Sequence, residues 1–273
     1  MDGAADLHIH TTFSDGALSA RAVVSHARDA ALSTISITDH DHTGATDEAL
    51  KAGQEAGIEV IPGVELSASI EDQDIHILGY FIDHHNGRLQ EYLAHFRTER
   101  VRRAERIVGK LRALNVHLPF EAVLEQAGEG SVGRPHIANA LVELGLTETY
   151  HEAFWKYLGT GRPAYEKKFQ ISPHDAVELI SSAGGLSFVA HPGSTVGDDL
   201  LLRLIHEGVD GIEVIHPAHS PERTAHYAGI ATEYFLLMSG GSDFHGGRKN
   251  GIDLFGKFVI PHAYVDMMRH RLT

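Results

Sequence analysis

The stretch Asp6-Leu7-His8-Ile9-His10 decides how this chain reads. It sits in an apolar run, residues 4–10, that suits a buried β-strand, and strand side chains alternate between faces. His8 and His10 therefore point the same way, about 7 Å apart at the strand rise. Two imidazoles on one face at a strand end can bind one metal ion. Outward from this pair the same residue types recur in similar settings. Asp15 lies in Ser14-Asp15-Gly16, His40 in Thr38-Asp39-His40-Asp41 and Glu65 in Pro62-Gly63-Val64-Glu65. His76 follows, then His191 in Ala190-His191-Pro192, and a second i, i+2 pair in Ser242-Asp243-Phe244-His245.

Seven short apolar runs read as strands: residues 4–10, 34–40, 59–65, 76–82, 186–191, 211–216 and 235–239. Helical patterns lie between them at 20–31 (with Ser19 as N-cap), 47–56, 199–207 and from Ser172-Pro173 to about 182. The alternation predicts βα units and a parallel sheet, an α/β fold. Six of the runs end at or beside a polar residue: His10, His40, Glu65, His191, His216 and the 242–245 stretch; the run at 76–82 begins with its His. Chemistry in (β/α) barrels collects at C-terminal strand ends. Seven strands suggest a distorted (β/α)7 barrel. Residues 86–165 break the alternation, with helical patterns at 88–114, 119–126, 135–144 and 150–158. The expected organisation is a barrel from 1–85 and 166–273, interrupted by a helical insertion at 86–165.

A chain of 273 residues, 42% of them hydrophobic, can bury a large core. Its net charge of -14 argues against nonspecific nucleic-acid binding by the whole surface, though not against a local basic patch. With no Cys there is no disulfide, thiolate metal site or Cys nucleophile, so any metal is held by His and carboxylate. No run of 18 apolar residues and no signal pattern is present, which predicts a cytoplasmic protein that does not associate with membrane. Nothing points to an obligate protein partner.

Singly, each of these residues has an ordinary reading: a strand-end His, a turn Asp, a helix-capping carboxylate. Together they are costly. So many ionisable groups in one barrel mouth need neutralising, and bound divalent cations do that. A nitrogen-rich His/carboxylate set suits Mn²⁺, Fe²⁺ or Zn²⁺ better than Ca²⁺ or Mg²⁺. The spacing points to a multinuclear metal hydrolase.

The motifs DLHIHTTFSDG, ITDHD, PGVELS, HILGY, VAHP and GGSDFHG resemble the PHP (polymerase and histidinol phosphatase) family of metal-dependent phosphoesterases. The segments SVGRPHIANALVELG, GTGRPAYEKKF and GIEVIHP are similar to the subgroup that hydrolyses 3′,5′-nucleotide bisphosphates and trims RNA from its 5′ end. The resemblance implies a distorted (β/α)7 barrel with a helical insertion. It implies three divalent metals, most often Mn²⁺, with Fe²⁺ or Zn²⁺ as alternatives. His8, His10, Glu65 and Asp243 would hold the first; Glu65 would bridge to the second, completed by His76 and His191; Asp15, His40 and His245 would hold the third. A metal-bound hydroxide would be the nucleophile. Asp39 would orient a ligand imidazole, and His216, at the end of a predicted strand before Pro217, would either touch phosphate or protonate the leaving group, or serve a structural role.

The substrate side rests on basic residues. Between Arg88 and Arg112 stand eight Lys/Arg against three Glu. Arg100 and Arg103 share a helix face, and a planar guanidinium suits phosphate. Arg134 and His136 flank Pro135 in a Gly-bounded loop. The resemblance implies that these four hold the substrate's other phosphate, with Lys167 and Lys168 as weaker candidates, because AYEKK departs from the family's usual AYVPK. The expected substrate is a nucleotide bisphosphate (pAp to AMP) or short RNA. Alternatives are a small-metabolite phosphatase, such as one for histidinol phosphate, and a non-catalytic PHP accessory module.

Overall fold

Eight strands run in chain order as β1 (Ala4–Ile9), β2 (Thr34–Ile37), β3 (Glu59–Ile70), β4 (Gln73–Tyr80), β5 (Leu186–Val189), β6 (Gly211–Ile215), β7 (Leu237–Gly240) and β8 (Ile260–Pro261). This is a computed structural model, and it describes residues 3–71, 73–128, 130–246 and 254–273. The strands form one sheet in the order β7-β6-β5-β4-β3-β2-β1-β8. The sheet curls until its ends nearly meet: beyond β7, the Phe244 carbonyl accepts from the His10 amide at 3.0 Å, beside β1. Gly241 permits this approach, since a Cβ there would lie 2.4 Å from the His8 Cβ. The result is a nearly closed, distorted barrel.

The expectation of a wholly parallel sheet fails at β4. β1, β2 and β3 pair in parallel, as do β5, β6 and β7, but β4 is antiparallel to both β3 and β5. The reason is local. Only residues 71 and 72 separate β3 from β4, and a parallel crossover needs a dozen or more. Because β4 runs backwards, its first residues lie at the rim where its neighbours end. That is why His76 opens its run while the other polar residues close theirs.

Seven strands match the sequence reading in place. The eighth, the two-residue β8, pairs antiparallel with Ala4 and Ala5 and gives no sequence signal of its own. Strand lengths differ. β2 stops at Ile37, yet His40 still bridges in parallel to Glu65. β3 continues to Ile70 because its far half pairs with β4.

The helices in chain order are α1 (Ala20–Asp29), α2 (Thr46–Ala56), then α3 (Gly87–Ala113), α4 (Phe120–Ala127), α5 (Arg134–Glu143), α6 (Tyr150–Ala153) and a π-helical turn Phe154–Leu158 in the middle of the chain. After these come α7 (Pro173–Ser182), α8 (Pro192–Thr195), α9 (Asp198–His206), α10 (Pro221–Glu233) and α11 (His262–Leu272). Ser19 caps α1 by accepting from the Ala22 amide, and Ser172 caps α7 by accepting from the Asp175 amide. Ser220 does the same for α10 through Arg223. Its Ser220-Pro221 start is the signature that marks α7, and the sequence reading passed over it.

The chain divides into two compact units, residues 1–91 with 170–273, and residues 92–169. In the first, Ala5, Leu7, Ile61, Leu78, Tyr80, Phe188 and Ile260 form a core that α11 joins through Val265 and Met268. A second core packs α1 and α2 on β1 and β2 through Val23, Ala27, Ile35, Ile37 and Ala49. The helical unit has its own core, with Ile107, Val108 and Leu111 against Val123, Ile137, Leu141 and Leu158. No helix among the described residues is long and apolar enough to cross a membrane.

Candidate active site

The barrel rim gathers all nine residues named from the sequence around one carboxylate. Glu65 on β3 is fully buried. Its Oε1 lies 2.7 Å from His76 Nδ1 and 3.1 Å from His191 Nε2. Its Oε2 lies 3.3 Å from His8 Nε2, 3.3 Å from His10 Nε2 and 3.0 Å from His40 Nδ1. The two oxygens therefore face two different sets of imidazoles, as a carboxylate bridging two cations would. Asp243 Oδ1 lies 3.2 Å from His10 Nε2 and 3.5 Å from His8 Nε2. On the other side, His245 Nε2 meets Asp15 Oδ1 at 3.0 Å. Donor atoms of His10, Asp15, His40 and His245 converge within 4.8 Å of one another, as do those of His8, His10 and Asp243, and those of His40, Glu65 and His76.

Local backbone aims these groups. His191 has φ 28° and Asp243 φ 49°, in the left-handed region that non-glycine residues seldom adopt. Such strain persists only where surrounding contacts enforce it. The His191 amide donates to Glu213 Oε2 at 2.7 Å, and the Ser242 amide donates to Asp6 Oδ1 at 2.9 Å. Asp6, buried in β1, has its pKa pushed up by burial to about 6, against the amides of Ser242, Gly256 and His8 that hold the ionised form.

The electrostatics suit cations. Several buried ring nitrogens and an oxygen lie against carboxylate or imidazole atoms yet make no well-aligned hydrogen bond: His10 Nε2, His40 Nδ1, His245 Nε2 and Asp15 Oδ1. Leaving such groups unsatisfied costs about 1–3 kcal/mol each, so this donor set fits divalent metal ions. Burial opposes ionisation of His10, but Asp243 and Glu65 hold its pKa up at about 9. His8 is likewise raised against burial by Glu213 and Glu65. Burial instead lowers the pKa of His40 and of His245, against the pull of Glu65 on the first and of Asp15 on the second. Against burial, His40 and His76 hold Glu65 well below the carboxylate range, and His245 and His40 do so for Asp15.

One sequence assignment changes in detail. Asp39 does not bond an imidazole. Its carboxylate accepts from the Thr11 amide at 2.8 Å, the Thr11 hydroxyl at 2.6 Å and the Ser14 hydroxyl at 2.5 Å. It fixes the 11–15 loop that carries Asp15, and reaches His10 only through Ser14. The orienting carboxylate is Glu213, a residue the sequence reading did not single out. Its Oε1 lies 2.8 Å from His8 Nδ1, which fixes that imidazole with Nε2 toward the centre. The available signal was a Glu in the middle of the apolar run Gly211-Ile212-Glu213-Val214-Ile215.

His216 is defined by its hydrogen bonds. Its Nδ1 accepts from the Ala218 amide at 3.0 Å, so the ring proton sits on Nε2, which faces Asp243 Oδ2 at 3.6 Å. Although His8, Glu213 and His216 cluster closely enough for a metal, Glu213 is already committed to His8 and to the His191 amide. His216 thus presents an N–H to the centre, not a lone pair.

In the helical unit the basic residues have structural partners. Arg103, 6% exposed, donates from Nε and Nη2 to the Glu166 carbonyl at 2.9 and 2.7 Å. Arg100 reaches the Val132 carbonyl at 3.4 Å and stacks on Phe96. Arg134 reaches the Leu158 carbonyl at 3.2 Å. His136 Nδ1 accepts from the Gly133 amide at 3.0 Å at the start of α5, leaving the proton on Nε2.

Comparison with known proteins agrees with this geometry. The family model for the PHP domain matches residues 6–160. The chain is 36% identical over 248 residues to the 5′-3′ exoribonuclease Rnm of Escherichia coli (strain K12), covering 88% of this chain and 84% of that one. It is 35% identical over 255 residues to a 3′,5′-nucleoside bisphosphate phosphatase of Chromobacterium violaceum, covering 91% and 90%. A crystal structure from Bifidobacterium adolescentis, assigned to the metal-dependent phosphoesterases, superposes with a TM-score of 0.88 at 34% identity, covering 98% of this chain and 96% of that one. A barrel rim built on Glu65 and its imidazoles, with these likenesses over most of the chain, places the protein in the PHP family.

Proposed function

We propose that this protein is a metal-dependent phosphoesterase that hydrolyses the 3′-phosphate of 3′,5′-nucleotide bisphosphates and removes nucleotides from the 5′ end of short RNA. The observation that carries the reading is the split of Glu65 between two sets of imidazoles, within a centre where His10 Nε2, His40 Nδ1 and His245 Nε2 face carboxylates without a well-aligned hydrogen bond. Relatives at 35–36% identity named for these two activities support the substrate class.

His8, His10, Glu65 and Asp243 would hold one cation, Glu65, His76 and His191 a second, and Asp15, His40 and His245 a third. Mn²⁺ is the first choice, and Fe²⁺ or Zn²⁺ fit the same donors. Bound there, such ions supply a nucleophilic water ionised at neutral pH and neutralise phosphoryl oxygens as charge redistributes. The chain's own residues do the rest. Glu213 fixes the tautomer of His8, and Asp39 holds the loop carrying Asp15. His216 offers its Nε2–H to a phosphate oxygen or to the leaving 3′ oxygen. Arg134 and His136 are proposed to bind phosphate through guanidinium and Nε2–H. Arg103 is secondary, since its Nε and Nη2 both hold the Glu166 carbonyl, whereas Arg100 and Arg134 each commit one Nη1 to a carbonyl. No membrane or protein partner enters this reading, and the cytoplasm is its proposed location.

The test is phosphate release from 3′,5′-adenosine bisphosphate by Mn²⁺-loaded protein, with the product identified by chromatography. The 5′-monophosphate as product supports the reading. No release, with histidinol phosphate turned over instead, overturns it.

A further inference from the structure

The helical unit differs in charge from the barrel unit. Residues 92–169 carry 12 Lys/Arg against 9 Asp/Glu, a net charge of +3. The other residues carry 11 against 28, a net charge of -17, and together these make the -14 of the whole chain. The less acidic unit also holds the chain's single tryptophan. Trp155 is 65% exposed, although its neighbours in the π-helical turn, Phe154 and Leu158, pack into the unit's core. The turn is closed by the Gly159 amide donating to the Phe154 carbonyl at 2.8 Å. Such π-turns are rare and concentrate at functional sites.

Arginines flank this turn. The Arg162 guanidinium lies 5.5 Å from the Trp155 ring, and Arg134 lies 5.8 Å from Phe154 and 5.5 Å from Tyr165. Tyr150 and Phe154 are 5.0 Å apart. An exposed indole beside a guanidinium group matches how single-stranded nucleic acid is held without base readout: bases stack on the ring, and an arginine meets the ring face or backbone phosphate. The motif GTGRPAYEKKF supplies Arg162 and Tyr165, and phosphate hydrolysis alone gives Trp155 no task.

We propose that Trp155 and Arg162 form a base-stacking subsite for single-stranded RNA on the helical unit. The proposal rests on the nucleotide reading above and extends it from one nucleotide to an oligonucleotide. Stacking on Trp155 tolerates any base, because each has a π-face. Arg162 adds a cation that the acidic barrel unit would not offer to a polyanion.

The single tryptophan makes the test direct. Metal-loaded, full-length protein is mixed with a 5′-phosphorylated tetraadenylate carrying phosphorothioate linkages, and indole emission is read within seconds. An oligomer of the same phosphates without bases is the control. The expected result is saturable quenching by the base-bearing oligomer and little by the abasic one. Anisotropy of the labelled oligomer should show Trp155→Ala binding about 10-fold weaker, equivalent to about 1.4 kcal/mol. Trp155→Phe should stay within about 3-fold, and Arg162→Ala should fall between. Equal affinity for wild type and Trp155→Ala, equal quenching by the abasic oligomer, or no binding of the oligomer would each overturn the proposal. So would an emission change that follows protein concentration instead of RNA, which would assign the indole to contact between copies. Hydrolysis of the bisphosphate is scored separately. Its absence with quenching intact removes the hydrolytic reading alone, and lost quenching with hydrolysis intact removes only the subsite.

Discussion

The barrel rim and the helical unit both collect charged side chains, and they treat them in opposite ways. At the rim, buried atoms of His10, His40, His245 and Asp15 are held against one another and against Glu65 and Asp243 without a well-aligned hydrogen bond. In the helical unit, the guanidinium groups of Arg103, Arg100 and Arg134 are spent on the carbonyls of Glu166, Val132 and Leu158. A group kept short of partners is waiting for something else to bind. A group that holds backbone is first a structural one. The contrast teaches that residue type nominates a site, whereas the hydrogen-bond balance around each atom says which nominees are free to act.

The largest expected effect falls on the carboxylate shared by both imidazole sets. Glu65→Gln keeps the shape but removes the charge, so the chain should lose most of its bound metal and at least about 10³-fold in turnover, with its circular dichroism unchanged. Metal content by mass spectrometry, read beside phosphate release, decides it; full activity would mean that Glu65 does not bridge. Next comes Glu213→Gln. Removing a carboxylate that orients a ligand imidazole typically costs 10–100-fold in metal affinity, so metal should be held about 10–100-fold more weakly while the fold stays intact. Unchanged affinity would return Glu213 to a purely structural role.

The helical unit should give the reverse pattern. Arg103→Ala leaves the Glu166 carbonyl without its two N–H donors, at a cost of about 1–3 kcal/mol in stability, visible as a lowered melting temperature. Arg134→Ala, which gives up a single N–H to the Leu158 carbonyl, should lower the melting temperature less than Arg103→Ala, yet raise KM for a bisphosphate about 10-fold more than for a monophosphate. If the two variants exchange behaviours, the division between structural and substrate-binding arginines is wrong.

Much of this was legible from the chain. The period of apolar runs located seven strands, and the Pro and Ser caps located α1 and α7. The ligand types were legible because no satisfied core needs so many His and Asp at strand ends. Strand direction was harder to read: β4 looks like its neighbours, and only the two-residue gap before Gln73 reveals that it runs backwards. Glu213 was missed because a lone Glu in an apolar strand has no partner visible in sequence; His8 lies 205 residues away. Asp39 was misread for a related reason. Its neighbour His40 suggested a pair, while its actual partners, Thr11 and Ser14, become adjacent only when β1 and β2 are side by side.

The smallest effect sharpens the contrast within a single strand. Glu59 begins β3 and Glu65 lies six positions on, but Glu59 is fully partnered, by Arg269 on α11, by Thr34 at 3.1 Å and by His262 at 3.4 Å. Burial works against its charge, and Arg269 lowers its pKa below the usual carboxylate range. A carboxylate whose folded pKa is depressed stabilises the protein above the unfolded value, and that contribution is lost as pH falls through the folded one. Being more than a third exposed, the pair is screened, so Glu59→Gln should cost only about 0.5–1 kcal/mol at pH 7. The difference from wild type should shrink as pH drops below about 4.3, the ordinary Glu value, and vanish once Glu59 is protonated in the folded state as well. Urea titrations at pH 7 and pH 3 measure it, and metal content should stay at the wild-type level throughout the pH 7 series. A loss of metal in Glu59→Gln would mean that the two ends of β3 are coupled, and that the rim does not hold its unsatisfied charges independently of the seam below it.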